Sequence, residues 1–356
     1  MQVRIKKIQA ILKGLNLDAL MVTELSQIRY LCGYTGSNGI LVIFHNEAHF
    51  VTDFRYKAQV GKEVKGAKIM IAQRDLYTEI QKIKPLNAKN LRLGYLEAYM
   101  TVKNLAMLKT LLPNALFAPT TFIVETLASV KDNDEIKNIQ KAVDIADVAF
   151  GRILQIIKPG IRESEVAAEL EYQMKMLGSE DPSFETIIAS GYRSALPHGR
   201  ASYKVIKQGE FVTLDFGAIY AGYHSDITRT VVVGKASAQQ KKIYGLVLKA
   251  QIAGTRKAKA GLKGSAVDKH VRDIITKGGY GKNFGHGLGH GIGLLIHEEP
   301  RLSPLSDTVL QPNMVVTVEP GIYIDGWGGV RIEDDVVITR SGCRVMNKAD
   351  KSLLEL

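Results

Sequence analysis

Cysteine is scarce in this chain, and apolar runs long enough to cross a bilayer are missing. Only Cys32 and Cys343 occur, far apart and outside any CxxC spacing. That excludes a disulfide framework and a structural zinc knuckle and points to a reduced, cytoplasmic setting. No stretch approaches the ~18 consecutive apolar residues of a spanning helix, so no membrane partner is expected. The N-terminal MQVRIKKIQAILKGLNLDAL sets Val3, Ile8, Ile11, Leu12 and Leu15 among basic residues at helical spacing, unlike the unbroken apolar core of a signal peptide. A phosphate loop is missing too. GYTGSNG at 33–39 lacks the GxxxxGK[ST] pattern and reads as a turn feeding a strand.

What is present is an ordinary globular composition, 46% hydrophobic and 23% charged over 356 residues, with room for two domains. The formal charge of +11 is spread through segments such as QQKKIYGLVLKAQIAGTRKAKAG rather than gathered into an arm, so no nucleic-acid partner is expected. Residues 1–125 alternate helix-like and strand-like segments (a helix at 3–15, then ALMVT, a hairpin-like ILVIFHNEAHFVTDFRY, KIMIAQ, LRLGYL, a helix from Asn104 to Leu112, and ALFAP), the mark of an α/β domain. A second domain opens at 133. Asp132 and Glu135 have capping-box spacing, and Ile136, Ile139, Val143, Ala146, Phe150, Ile153 and Ile157 follow at helical spacing. Within 133–356, KPGIRESEV (158–166) matches KAGLKGSAV (259–267), and each copy runs through a helix to a glycine, Gly178 and Gly279. A duplicated α+β half is therefore expected.

Acidic residues stand in unusual places. EFVTLDFGAIYAGYHSDITRTVVV (210–233) reads as a β-hairpin. With its turn centred between Tyr220 and Ala221, Asp215 would oppose Asp226, Thr213 would oppose Thr228 and Leu214 would oppose Ile227. Opposed residues have Cβ atoms only ~4.5–5.5 Å apart, and like charges there destabilise a sheet. A cation between the aspartates would resolve this, and so would solvation of one of them or a pair with Arg229. Glu319 follows an apolar strand in NMVVTVEPGIYI, and Glu333 sits among β-branched residues in GGVRIEDDVVIT. Ionised carboxylates in such settings need a partner, and for Glu333 Arg331 is on the same face. The stretch FGHGLGHGIG (284–293) sets His286 and His290 four apart, but its glycines would cost a helix roughly 1 kcal/mol each, and HExxH is not matched. Extended, it shows glycine on one side and Phe284, His286, Leu288, His290 and Ile292 on the other. With His198 and His297 also near, one histidine nitrogen and four carboxylates would suit two divalent ions better than structural zinc. Two ions imply hydrolysis.

The ordered set LDFGAIYAGYHSDITRT, HGLGHGIG, VTVEPGIY and VRIEDDVVIT, preceded by SFETIIASGYRSALPHG, resembles the proline-specific metallopeptidases, aminopeptidase P and prolidase. The resemblance implies an α+β pita-bread catalytic domain over 133–356, duplicated halves around a curved antiparallel sheet, behind a creatinase-type α/β domain over 1–125. It implies that Asp215, Asp226, His290, Glu319 and Glu333 are the ligands, with Asp226 and Glu333 bridging. The ions expected are Mn²⁺ first, with Co²⁺, Fe²⁺ or Zn²⁺ as alternatives. His198, His297 and Glu319 then take catalytic roles, Arg301, Arg331 and Tyr323 face the substrate, and His286 is a supporting contact; Arg331 orients Glu333 or substrate. The expected substrates are proline-containing peptides and the expected assembly is a homodimer. Arg162 departs from the pattern, standing where a capping Ser or Thr is expected. A methionine-type aminopeptidase and a non-enzymatic pita-bread binding protein are the alternatives; the first usually lacks the N-terminal domain and the second typically loses ligands.

Overall fold

The β-branched segments of the N-terminal part pair into one mixed sheet. In the computed structural model, which describes residues 2–356, its strands are β1 (Ala19–Val22), β2 (Ile40–Phe44), β3 (Ala48–Asp53), β4 (Lys68–Ala72), β5 (Arg92–Leu96) and β6 (Leu116–Thr120). Their order is β4-β3-β2-β1-β5-β6. β1 to β3 pair antiparallel, while β4, β5 and β6 join in parallel. Helices Gln2–Gly14 and Leu25–Cys32 accompany this sheet, and Gly33, left-handed at φ 90°, ends the second of them. Val42, Val51, Leu93 and Leu108 lie in one buried cluster. This unit spans Met1–Ala128, and the second spans Ser129–Leu356. No described helix is long and apolar enough to cross a membrane.

The second unit opens on helix Asn133–Ile153, where Asp132 accepts from Glu135 N–H and Glu135 returns a bond to Asp132 N–H. Those two bonds satisfy donors that a bare helix start leaves open. Its strands are β7 (Ile187–Ser190), β8 (Phe211–Phe216), β9 (Ile219–Tyr220), β10 (Tyr223–His224), β11 (Ile227–Val232), β12 (Gly289–Gly291), β13 (Glu298–Leu302), β14 (Val315–Val318), β15 (Gly321–Ile324), β16 (Gly328–Arg331), β17 (Asp334–Ile338) and β18 (Cys343–Val345). They form antiparallel sheets β11-β8-β7 and β13-β12-β14-β17-β18, with ribbons β9-β10 and β15-β16.

The duplication is visible in the backbone. Helices Glu163–Met176 and Gly264–Lys277 are offset by 101 residues at both ends (264 − 163; 277 − 176). Gly160 and Gly261 before them, and Gly178 and Gly279 after them, all take left-handed φ. The residues before each helix, Arg162 and Lys263, make matching antiparallel bridges to Val205 and Val309. This is the paired-half α+β arrangement of a pita-bread fold.

The hairpin register differs from the expected one. Ala221 and Gly222 both have positive φ, 49° and 75°, so the two-residue turn is centred one position later. Tyr220 then pairs with Tyr223, Asp215 with Thr228, Leu214 with Arg229 and Thr213 with Thr230. A slip of two residues leaves each side chain on its own face. Asp226 accordingly lies just before β11, not opposite Asp215. Glu333 also falls in the break between β16 and β17 rather than within a strand.

Candidate metal centre

Five side chains from separate elements converge. Asp215 comes from β8 and Asp226 from the approach to β11, both in the first half. His290 is the middle residue of β12, Glu319 follows β14 and Glu333 precedes β17, all in the second half. Glycine allows β12 to lie this close to its neighbours. A β-carbon at Gly289 would come within 3.0 Å of the Thr317 carbonyl oxygen, and one at Gly291 within 3.0 Å of the Glu299 carbonyl oxygen. Within the histidine stretch, β12 is thus extended, with the bare sides of Gly289 and Gly291 turned to adjoining backbone, while bends at His286 and Leu288 precede it.

One ligand atom each from Asp226, His290 and Glu333 lie within 4.8 Å of one another. His290 Nε2 is 3.6 Å from Asp226 Oδ2 and 3.5 Å from Glu319 Oε1. Burial pushes the carboxyls of Asp226 and Glu333 well above the ordinary range, and neighbouring carboxylates push them further. Glu319 is pushed up to about 8, chiefly by burial, with Arg331 opposing. His290 is pushed down to about 3 by burial and by His297 beside it, so its imidazole is neutral. Its Nδ1 lies 3.1 Å from Gly291 O, which places the proton there and turns the Nε2 lone pair toward two carboxylates. Asp226 Oδ1 and Glu333 Oε1 are buried without a hydrogen-bond partner. Acceptors gathered this way need positive charge, and an oxygen-rich set with one imidazole nitrogen fits a divalent transition-metal ion.

The cavity above this group, about 500 Å³, is lined by all five residues and also by His198, His286, His297, Arg301, Tyr323 and Arg331. Every site residue singled out from the sequence therefore faces one space. His297 stacks edge-on against His290, ring centroids 4.4 Å apart. Arg301 keeps its side chain 45% exposed, with Glu299 at 3.9 Å.

Arg331 does not bond Glu333 directly. It donates to Asp215 Oδ2, to Thr228 Oγ1 at 3.0 Å and to Tyr323 Oη at 2.7 Å. Thr228 Oγ1 in turn donates to Glu333 Oε2 at 2.6 Å. His286 joins the same network through Tyr323 Oη at 2.9 Å, and burial lowers this imidazole to about 4. Arg229 pairs with neither aspartate; it binds Asp334 at 2.9 Å and the Thr228 carbonyl.

Four contributors escaped sequence reasoning. Thr228 was placed on the polar face but opposite the wrong residue. Thr317, whose hydroxyl donates to Glu319 at 3.3 Å and accepts from His290 N–H at 3.0 Å, stands two residues before Glu319 on one strand face, a signal that could have been used. Asp335 accepts from Asp226 N–H at 2.9 Å. Asp268 accepts from Leu288 N–H at 3.0 Å; it lies on a helix, and nothing in its local sequence marks it.

Residues 137–340 match the model of metallopeptidase family M24, and residues 4–130 match the creatinase/prolidase N-terminal domain. The chain is 45% identical to the uncharacterized peptidase YqhT of Bacillus subtilis over 99% of this chain and 100% of that one. It is 40% identical to the Xaa-Pro dipeptidase of Pyrococcus horikoshii, covering 99% of each. Among solved structures it resembles an Xaa-Pro dipeptidase from Bacillus anthracis, with a TM-score of 0.96 and 46% identity over 99% of each chain. The prolidase from Pyrococcus furiosus matches with a TM-score of 0.90 and 39% identity, over 96% of this chain and 99% of that one. Buried acceptors that call for a cation and a family model spanning the same residues lead to one conclusion: the chain belongs to metallopeptidase family M24.

Proposed function

We propose that this protein is a dinuclear metallo-exopeptidase that hydrolyses the Xaa-Pro bond of dipeptides or at the N-terminus of longer peptides. Residues 133–356 act as the catalytic domain and 1–125 as an N-terminal accessory domain, in a cytoplasmic homodimer. The observation that carries the reading is the buried group Asp226, His290 and Glu333, with two carboxylate oxygens that have no partner. Asp215, Asp226, His290, Glu319 and Glu333 would hold two divalent ions, Mn²⁺ first, with Asp226 and Glu333 shared between them. Bound there, such ions lower the pKa of water and polarise a carbonyl.

The protein's own residues do the rest. Glu319, whose Oε1 accepts from Thr317 Oγ1, takes the proton from the attacking water at Oε and passes it to the departing prolyl nitrogen. That nitrogen belongs to a tertiary amide without an N–H, so recognition must come from shape and from the chain termini. His297 and His198, on the cavity wall, donate to charge developing on the carbonyl oxygen, a contribution of several kcal/mol in favourable sites, ~3–4. Arg301 receives the carboxylate of a dipeptide. Arg331 and Tyr323 close the wall beside the substrate and hold Asp215 in place, with His286 buttressing Tyr323.

The test is metal analysis followed by hydrolysis of an Xaa-Pro dipeptide and an Xaa-Pro-Yaa tripeptide. Cleavage of neither by metal-loaded protein defeats the proposal. The ratio of the two rates sets the preferred length.

A further inference from the structure

Residues 293–297, between β12 and β13, carry Ile296 and His297 into the cavity wall. Gly293 N–H donates to Leu295 O at 3.0 Å, and His224 N–H donates to Gly293 O at 2.8 Å, which fixes the entry to the turn. Glu298 holds the exit. Its Oε1 accepts from Leu295 N–H at 3.0 Å, and its carboxylate lies under Gly293, where a β-carbon would come within 3.0 Å of it. Oε2 accepts from Lys131 Nζ at 2.7 Å. The Lys131 side chain is 1% exposed and that of Glu298 is 13% exposed. Lys131 is itself anchored, its N–H donating to Asn313 O at 3.0 Å while Val130 bridges Met314.

Desolvating two charges offsets much of their attraction, so such a pair is weak evidence for stability and better evidence for a fixed arrangement. We propose that Lys131 is a positioning residue for His297. Through Glu298 it holds the 293–297 turn so that His297 keeps its edge-on place against His290, planes at 72°. The inference rests on the peptidase reading, in which His297 faces the reacting carbonyl. Lys131 stands 167 residues from Glu298 in the chain, just after the first unit ends at Ala128. The opening residues of the second unit thus set one wall of its site.

The experiment uses the full-length protein with Lys131→Met and Lys131→Arg. Lys131→Met is expected to keep its metal stoichiometry and KM for an Xaa-Pro dipeptide while losing kcat on the order of tenfold, and Lys131→Arg to restore most of it. In metal-free protein the Gly293 and Leu295 amides should exchange about tenfold faster in Lys131→Met, with those of β14 unchanged. Should Lys131→Met fold poorly, the double variant with Glu298→Gln removes both charges together and is read the same way. Unchanged kcat with unchanged Leu295 exchange overturns the inference, as does an equal loss in the Met and Arg variants. A wild-type protein inactive on both peptides defeats the peptidase reading instead, and the exchange result alone then decides the role of Lys131.

Discussion

Thr228 offers one hydroxyl to two charged neighbours, accepting from Arg331 Nε and donating to Glu333 Oε2. Thr228→Val keeps the shape and removes both bonds. It should cost about 1–3 kcal/mol of stability and weaken metal binding, which thermal melts and metal titration would measure. Arg331→Lys keeps the charge but loses the fork that reaches Asp215, Thr228 and Tyr323 together. A fall of about 10–100-fold in metal affinity or kcat is expected; an unchanged affinity and rate would mean that the planar fork is dispensable. The four acids stand out because each is a polar group in an apolar setting that local sequence does not explain; that His290 rather than His286 joins them is what the family resemblance implies. Which groups the supporting cations bind was not legible, since Arg331 reaches Asp215 across 116 residues and Lys131 reaches Glu298 across 167. Pairings that distant are decided by tertiary packing.

Elements were legible where their signal is local. The capping box at Asp132 and Glu135 begins its helix as the spacing predicts, and the repeated helices begin and end at matched positions. The hairpin register was missed because Ala221, a residue that seldom takes positive φ, occupies the left-handed first position of the turn. The helix at Glu163 starts without a side-chain cap. Arg162 has no acceptor on its side chain, but Glu163 N–H donates to Lys204 O at 3.0 Å and Ser164 N–H to Ser202 O at 2.9 Å, and Glu165 accepts from Arg162 N–H at 2.8 Å. Arg162→Ser adds an acceptor where the first amides are already bonded, so it should change stability by less than about 0.5 kcal/mol, seen as a nearly unmoved midpoint in urea, with kcat/KM unchanged. A lower midpoint would mean that the contact of Arg162 with the Tyr203 ring outweighs a cap.

For the molecule as a whole, the centre links folding to pH and to metal. The carboxyls of Asp226, Glu319 and Glu333 all have raised pKa values in the fold, Glu319 moving from 4.5 to about 8, mainly through burial. Without metal the folded state then binds more protons than the unfolded state between these values. Stability is greatest below the unfolded pKa and falls as pH rises through the folded one. Between about pH 4 and 6.5 the lowered His286 and His290 offset this trend, so metal-free protein should melt at progressively lower temperature from about pH 6.5 to pH 8, and added Mn²⁺ should raise the melting point more at pH 8 than at pH 6.5. Flat metal-free melting over that range would count against the charge balance described for the centre. The glycines of β12 carry a different kind of consequence. At Gly289 and Gly291 even a methyl group meets neighbouring backbone, whereas His286 and His290 between the glycines answer to chemistry. If the stretch were randomised and survivors chosen only for folding, Gly289 and Gly291 should return and the histidines scatter; chosen for turnover, both sets should return. One ten-residue segment thus records two separate selections, interleaved residue by residue.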